Sequence, residues 1–350
     1  MKGSQKMNKK ILKEIKSLKL NPCLKYKENL NIINNTQRFN EIFDVFKSYK
    51  DEKEYLISPN YKTNQIDIIS LNDNKIIHSL EAHESHITSV RYFINYSNNK
   101  EYIISSDQSN IVNIWDITNN YNLISKIETD YQDYILSCLL IFDIKESPYK
   151  NYIITSCSCT GFTKLYSFDQ NLLIKNIDIT ENNLTNYLLF WHDTKNNSYY
   201  IIECCFKKIC IYDLLNDNQL YTELISPNSS NSEHFSGIIY NKNDIDYLLV
   251  CSSNGFIEMW DLINKNLYFS ININGSKLMD IIQWNNNFLI VTDYENQCIK
   301  IIDVIQMKII GNYSGKGVIS VKKIKKINNS KYGHGILSSG NDNNLQLWTL

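Results

Sequence analysis

Gly311-Asn312-Tyr313-Ser314-Gly315-Lys316-Gly317 gathers glycines and a lysine as a phosphate-cradling loop would. The spacing is one residue short of the nucleotide-binding pattern, and Gly317 stands where a Ser or Thr would hold magnesium. A strand pattern follows it, so no helix N-terminus would face a phosphate, and the segment reads as a turn. His83-Glu84-Ser85-His86 offers two imidazoles and a carboxylate. A zinc-protease helix needs its two histidines four apart on one face, whereas these are three apart before a strand, which predicts a structural His83 and an exposed His86. Cys157-Ser158-Cys159 and Cys204-Cys205 lack ligand spacing and alternate between strand faces, so they are expected as core or turn residues. Lys322-Lys323-Ile324-Lys325-Lys326 is the densest cationic run after the N-terminal segment. No stacking aromatics interleave with it, so it reads as a solvated strand end rather than a nucleic-acid platform. No nucleophile, base and orienting group can be assembled from these motifs, and the expectation is a non-enzyme without cofactor or metal.

The elements that position these residues start from an even charge balance. Lys plus Arg number 36 against 37 Asp plus Glu, so no global field steers the chain toward nucleic acid or an anionic surface. Only Arg38 and Arg91 are arginines, which argues against phosphate sites built on bidentate forks. The nine cysteines fall largely within apolar strand patterns, consistent with a reducing cytoplasm or nucleus. No apolar run reaches membrane-span length, and the N-terminus lacks the apolar core of a secretion signal. Residues 1–22 form a separate region: Met7, Ile11, Ile15 and Leu18 recur at helical spacing among lysines up to Pro22, predicting a short basic amphipathic helix or a frayed tail.

From residue 23 or 24 onward the period becomes two. Ile87–Ile94, Tyr102–Ser105, Ile111–Asp116 and Leu123–Ile127 predict four short strands bounded by turn residues. The unit repeats, and its third strand carries the clearest signature. That signature reads Ile111-Val112-Asn113-Ile114-Trp115-Asp116 and Phe256-Ile257-Glu258-Met259-Trp260-Asp261, with echoes ending at Tyr166, Tyr212-Asp213, Ile302-Asp303 and Trp348. With Ile69 as the first member, the intervals run from 42 to 51 residues and define seven units. Asn clusters such as Asn119-Asn120 and Asn196-Asn197 fall between apolar runs and predict tight turns.

On these residues the chain resembles the WD40 family. Trp115-Asp116 and Trp260-Asp261 match its dipeptide, Leu80-Glu81-Ala82-His83 resembles its Gly-His turn, and Ser338-Ser339-Gly340-Asn341-Asp342 resembles the turn before its third strand. The resemblance implies an all-β, seven-bladed β-propeller of four-stranded antiparallel blades over residues 23–350, with Leu24–Ile33 supplying the strand that completes the last blade. Family blades are rigidified by a network of turn Asp, His, strand Ser or Thr, and Trp. Six residues before each aromatic stand Ser109, Thr160, Phe206, Asn254, Asn296 and Asp342, which predicts that most blades rely on apolar packing instead. The family resemblance implies a scaffold that binds a protein or peptide on one ring face. Its turns offer His83, Glu84, His86, Asp107, Tyr131, Asp133, His234, Phe235, Asn254, Tyr294 and Lys316. No paired arginines suit phosphoinositide or phosphopeptide recognition. The other reading is a membrane-associated trafficking subunit that uses the basic segment of residues 6–20.

Overall fold

The computed structural model describes residues 42–60, 62–132, 134–157, 162–178, 185–228, 232–273, 276–314, 321–329, 333–340 and 345–349. Described residues form strands and turns, with no helix among them. The first blade comprises β1 (Asp44–Lys47), β2 (Glu54–Asn60), β3 (Gln65–Ser70) and β4 (Lys75–Leu80), and the second β5 (Ile87–Asn95), β6 (Lys100–Asp107), β7 (Ile111–Asp116) and β8 (Asn122–Glu128). The third holds β9 (Ile135–Ile141), β10 (Tyr152–Cys157), β11 (Phe162–Ser167) and β12 (Leu173–Asp178), and the fourth β13 (Thr185–Asp193), β14 (Ser198–Cys205), β15 (Ile209–Asp213) and β16 (Gln219–Leu224). The fifth holds β17 (His234–Lys242), β18 (Ile245–Ser252), β19 (Phe256–Asp261) and β20 (Asn266–Asn272), and the sixth β21 (Leu278–Asn285), β22 (Phe288–Asp293), β23 (Cys298–Asp303) and β24 (Lys308–Tyr313). β25 (Val321–Asn329), β26 (Gly333–Gly340) and β27 (Leu345–Thr349) make the seventh, three-stranded among the described residues. Residues 24–33, expected as its fourth strand, lie outside the described residues, as does the segment 1–22.

Every sheet is antiparallel and runs in sequence order, so each chain segment moves outward from the ring axis. The first strands touch one another in succession, and β1 meets β25, which closes the ring. The apolar core is divided into seven clusters, one per seam between neighbouring blades. At the closing seam Phe43, Leu56 and Ile69 of the first blade pack on Ile327, Leu337 and Leu347 of the last. Middle strands are buried on both faces because a seam lies on each side: Tyr152 to Cys157 are all buried. Each fully buried Ile or Leu contributes about 1.5–3 kcal/mol, and the seams supply dozens of them.

The Asp of the signature has a local purpose. Asp116 Oδ1 accepts from the backbone N–H of Thr118 (3.0 Å) and Asn119 (3.3 Å), and Asp213, Asp261 and Asp303 repeat this with the two residues after the following one. Each fastens the turn between third and fourth strands. Asparagine fills the left-handed positions: nine of the nineteen described non-glycine residues with positive φ are Asn, including Asn120 and Asn197 from the predicted turns. Gly311 to Tyr313, the start of the glycine-rich stretch, lie within β24, while Gly315, Lys316 and Gly317 lie outside the described residues.

Candidate functional site

The topology places all turns entering first strands, and all turns between second and third strands, on one face, here called upper. Across blades four to six this face carries an aromatic and cationic strip. Lys277, just before β21, sets its ammonium 4.6 Å from the centre of the Phe235 ring and 6.0 Å from that of Tyr294. Phe235 is half-buried at the bulge where β17 shifts register, and Tyr294 is half-buried in the turn after β22. Lys207 lies over the Phe206 ring at 5.1 Å, and Phe206 bridges Glu233, two residues from Phe235. The structure thus brings Phe235 and Tyr294 together and adds Lys277, Phe206 and Lys207, which sequence reasoning did not single out. Lys277 was legible as the residue opening an inner strand, the position from which upper-face contacts come.

The other expected residues separate into two groups. Glu84 and His86 are exposed on the upper face of the second blade, and Asn254 is half-buried in a turn, donating to the Asn228 carbonyl at 3.1 Å. His83, Asp107, Tyr131 and His234 are buried and hold blades together. Asp133 and Lys316 lie outside the described residues.

In the second blade the buried group is a continuous chain. Trp115 Nε1–H donates to Ser105 Oγ (3.2 Å), Ser105 meets His83 Nε2 (2.7 Å), and His83 Nδ1 meets Asp107 Oδ2 (2.8 Å). With Trp and Asp as the two ends, the Ser hydroxyl donates to Nε2 and the Nδ1–H donates to Asp107. Asp107 Oδ1 also accepts from the backbone of Ser109 (2.9 Å) and Ile111 (3.1 Å). Both His83 nitrogens are therefore engaged within the blade, which leaves none for a metal. Counting six residues back from Trp115 reached Ser109, but the acid stands eight back, so the expectation that this blade had lost its network is corrected.

A family profile described as "WD domain, G-beta repeat" matches residues 74–116, from β4 through β7. In sequence this stretch is similar to a WD40 repeat. No curated protein matches the chain. Among solved structures, the computationally designed Ika8 protein is similar in fold, with a TM-score of 0.64 at 13% identity, covering 88% of this chain and 82% of that one.

Outside residues 74–116 the first, third, fifth and sixth blades rebuild the network with other chemistry, around the residue two before the signature's closing aromatic or Ile. Asp67 accepts from Ser79 Oγ (2.6 Å) and Asn60 Nδ2 (3.2 Å). Lys164 pairs with Asp130 and lies 4.6 Å over the Tyr131 ring, whose hydroxyl meets Thr155 Oγ1 at 3.0 Å. Glu258 takes the Trp260 indole N–H (3.3 Å) and the Ser226 hydroxyl. Lys300 pairs with Asp293 at 3.1 Å. In the last blade Trp348 Nε1 donates to Ser338 Oγ at 2.8 Å. Apolar packing is thus supplemented in most blades by a polar cluster, contrary to the expectation from the sequence.

The lysine run also differs from its expectation. β25 is an inner strand, so its alternate side chains face the axis instead of solvent. Lys325 pairs with Asp44 of the first blade (2.8 Å), and Lys323 with Asp280 of the sixth (3.4 Å). Burial opposes charge on both Asp44 and Lys323, but the ion pairs outweigh it: Asp44 is held below the usual carboxylate value, and Lys323 above the usual lysine value. Arg91 sends its guanidinium to the carbonyls of Leu188 (3.2 Å) and Cys138 (3.4 Å), two and one blades away. One of the chain's two arginines is thereby committed to bracing the ring.

Proposed function

We propose that the protein is a non-catalytic interaction platform whose upper face over blades four to six binds a protein segment carrying an acidic and an apolar side chain. The observation behind this reading is the Phe235–Lys277–Tyr294 cluster. A half-exposed aromatic beside a cation offers apolar contact area and charge at one point, the composition of interface hot spots. Glu84 and His86 lie on the same face at the second blade and extend the surface around the ring. The WD40 repeat supports the reading by resemblance, since propellers of this kind commonly serve as interaction scaffolds; fold alone assigns no partner.

The test is affinity purification of the intact chain followed by mass spectrometry, repeated with Phe235→Ala, Lys277→Glu and His86→Ala. A specific partner should be lost with Phe235→Ala and Lys277→Glu and weakened by His86→Ala. Rebinding of the identified partner should weaken roughly tenfold or more for the first two changes. An unchanged partner set in all three variants would sink this face as the site.

A further inference from the structure

We propose that a cleft on the lower face, between the first two blades, binds an organic cation, an ammonium or guanidinium group on an aliphatic stem. The cleft has a volume of about 350 Å³, within the roughly 300–1,000 Å³ of small-ligand sites. Its floor is Glu101, which is 2% exposed. Glu101 Oε1 accepts from Tyr49 N (2.9 Å) and Tyr92 Oη (2.8 Å), and Oε2 from Ser48 Oγ (3.1 Å). A carboxylate has about four acceptor sites, so Oε2 retains capacity for a ligand donor. At the mouth Asp51 accepts from Tyr55 Oη (2.5 Å) and Lys53 N (3.1 Å) and stays exposed.

The walls are aromatic. Phe46 and Tyr55 form one side, and Tyr121 stacks on His78 at 4.2 Å with 16° between the planes. Carboxylates at floor and mouth, with ring faces between them, attract a cation by two separate means. An anion would meet both carboxylates, and a neutral stem would desolvate them without a donor in return. Lys50 also lines the cleft, but it is exposed and its ammonium stays in water.

The turn that presents Tyr121 is the second observation. Asn120 and Tyr121 have φ of 59° and 56°, both left-handed. The corresponding turn of the fourth blade uses Asp217-Asn218, short polar residues that adopt this conformation readily. A bulky ring here is disfavoured by its backbone; the ring packs against the seam of the first two blades and forms one wall of the cleft.

Calorimetric titration of the full-length protein with N-acetyl-lysine methylamide, N-acetyl-arginine methylamide and cadaverine tests the site, with N-acetyl-norleucine methylamide as neutral isostere. Saturable binding of a cationic probe, weakened roughly tenfold or more in the isostere and by high salt, is the expected result. Asp51→Asn, at an exposed position, should weaken binding roughly tenfold. Tyr121→Gly keeps the turn, since glycine accepts its φ, and should abolish measurable binding while the circular dichroism spectrum is retained. Binding of the amino-acid amides alone points to a peptide side chain, and binding of cadaverine alone to a free amine; either supports the cation site. Equal affinity for norleucine, no saturable heat with any probe, or wild-type binding by both variants overturns it.

Discussion

Blades two and four share strand order, register and burial, yet their polar interiors are opposites. Ser105, Asp107, Asn113 and Trp115 of the second blade correspond to Glu203, Cys205, Cys210 and Tyr212 of the fourth. In the second, His83, Ser105, Asp107 and Trp115 are joined by hydrogen bonds, and Asn113 Nδ2 donates to the Ala82 carbonyl at 3.2 Å. In the fourth, Glu203 is fully buried and neither carboxylate oxygen has a hydrogen-bond partner among the described residues. Burial pushes the Glu203 carboxyl well above the usual value, so it stays protonated where an exposed glutamate would ionise. Both blades nevertheless seat Leu, Ile and Tyr side chains against their neighbours in the same way. The lesson is that the apolar seams make the blade, and the polar chain adds rigidity where its members are all present.

Breaking the second blade's chain should have the largest effect. Asp107→Ala strands His83 Nδ1–H in a dry interior and releases two part-buried backbone donors, and should cost about 3 kcal/mol in urea denaturation. The matching Cys205→Ala removes only a buried thiol and should cost about 1 kcal/mol. Equal losses at the two positions would erase the contrast.

Next in size is the pH dependence of the fourth blade. The folded pKa of Glu203 lies above the unfolded value, so above about pH 4.5 the unfolded chain releases a proton that the native state keeps. The native state therefore loses stability as pH rises, by up to about 1.4 kcal/mol per pH unit until the folded pKa is reached. Glu203→Gln cannot ionise and should remove this slope, so its advantage over the parent should grow between acidic and neutral pH in denaturation series. A constant difference across that range would mean that Glu203 is ionised in the fold.

Lys100→Met should change least. The Lys100–Asp116 pair at 3.2 Å sits at the blade surface with the lysine side chain 43% exposed, and such pairs contribute roughly 0.2–1 kcal/mol. A loss above about 1 kcal/mol would show that the signature Asp depends on this lysine as well as on the turn it fastens.

Much of the architecture was legible. Trp115, Trp260 and their echoes marked the third strand of each unit, and the predicted strands of the second blade match β5 to β8 within two residues, because short apolar runs bounded by turn residues are written locally. The polar position was also visible, as Asp67, Asn113, Lys164, Cys210, Glu258 and Lys300 in the same place of each signature, although its meaning was not. Its partners come from strands and turns 7 to 34 residues away, such as His83 for Asn113 and Asp130 for Lys164, and each blade uses a different pair. The Phe235–Lys277–Tyr294 cluster was half legible: Phe235 and Tyr294 could be read as turn aromatics, but only adjacency of blades five and six supplies the cation.

The sequence alone determined seven units, the strands of the second and the even charge, since apolar runs and turn residues act over a few positions. Tertiary structure decided which polar groups meet across those units, as when Lys325 reaches Asp44 at the other end of the ring, or Arg91 the carbonyl of Leu188. Such pairings depend on how separate strands are brought side by side around an axis, and that proximity is fixed by closure of the ring, which no local pattern encodes.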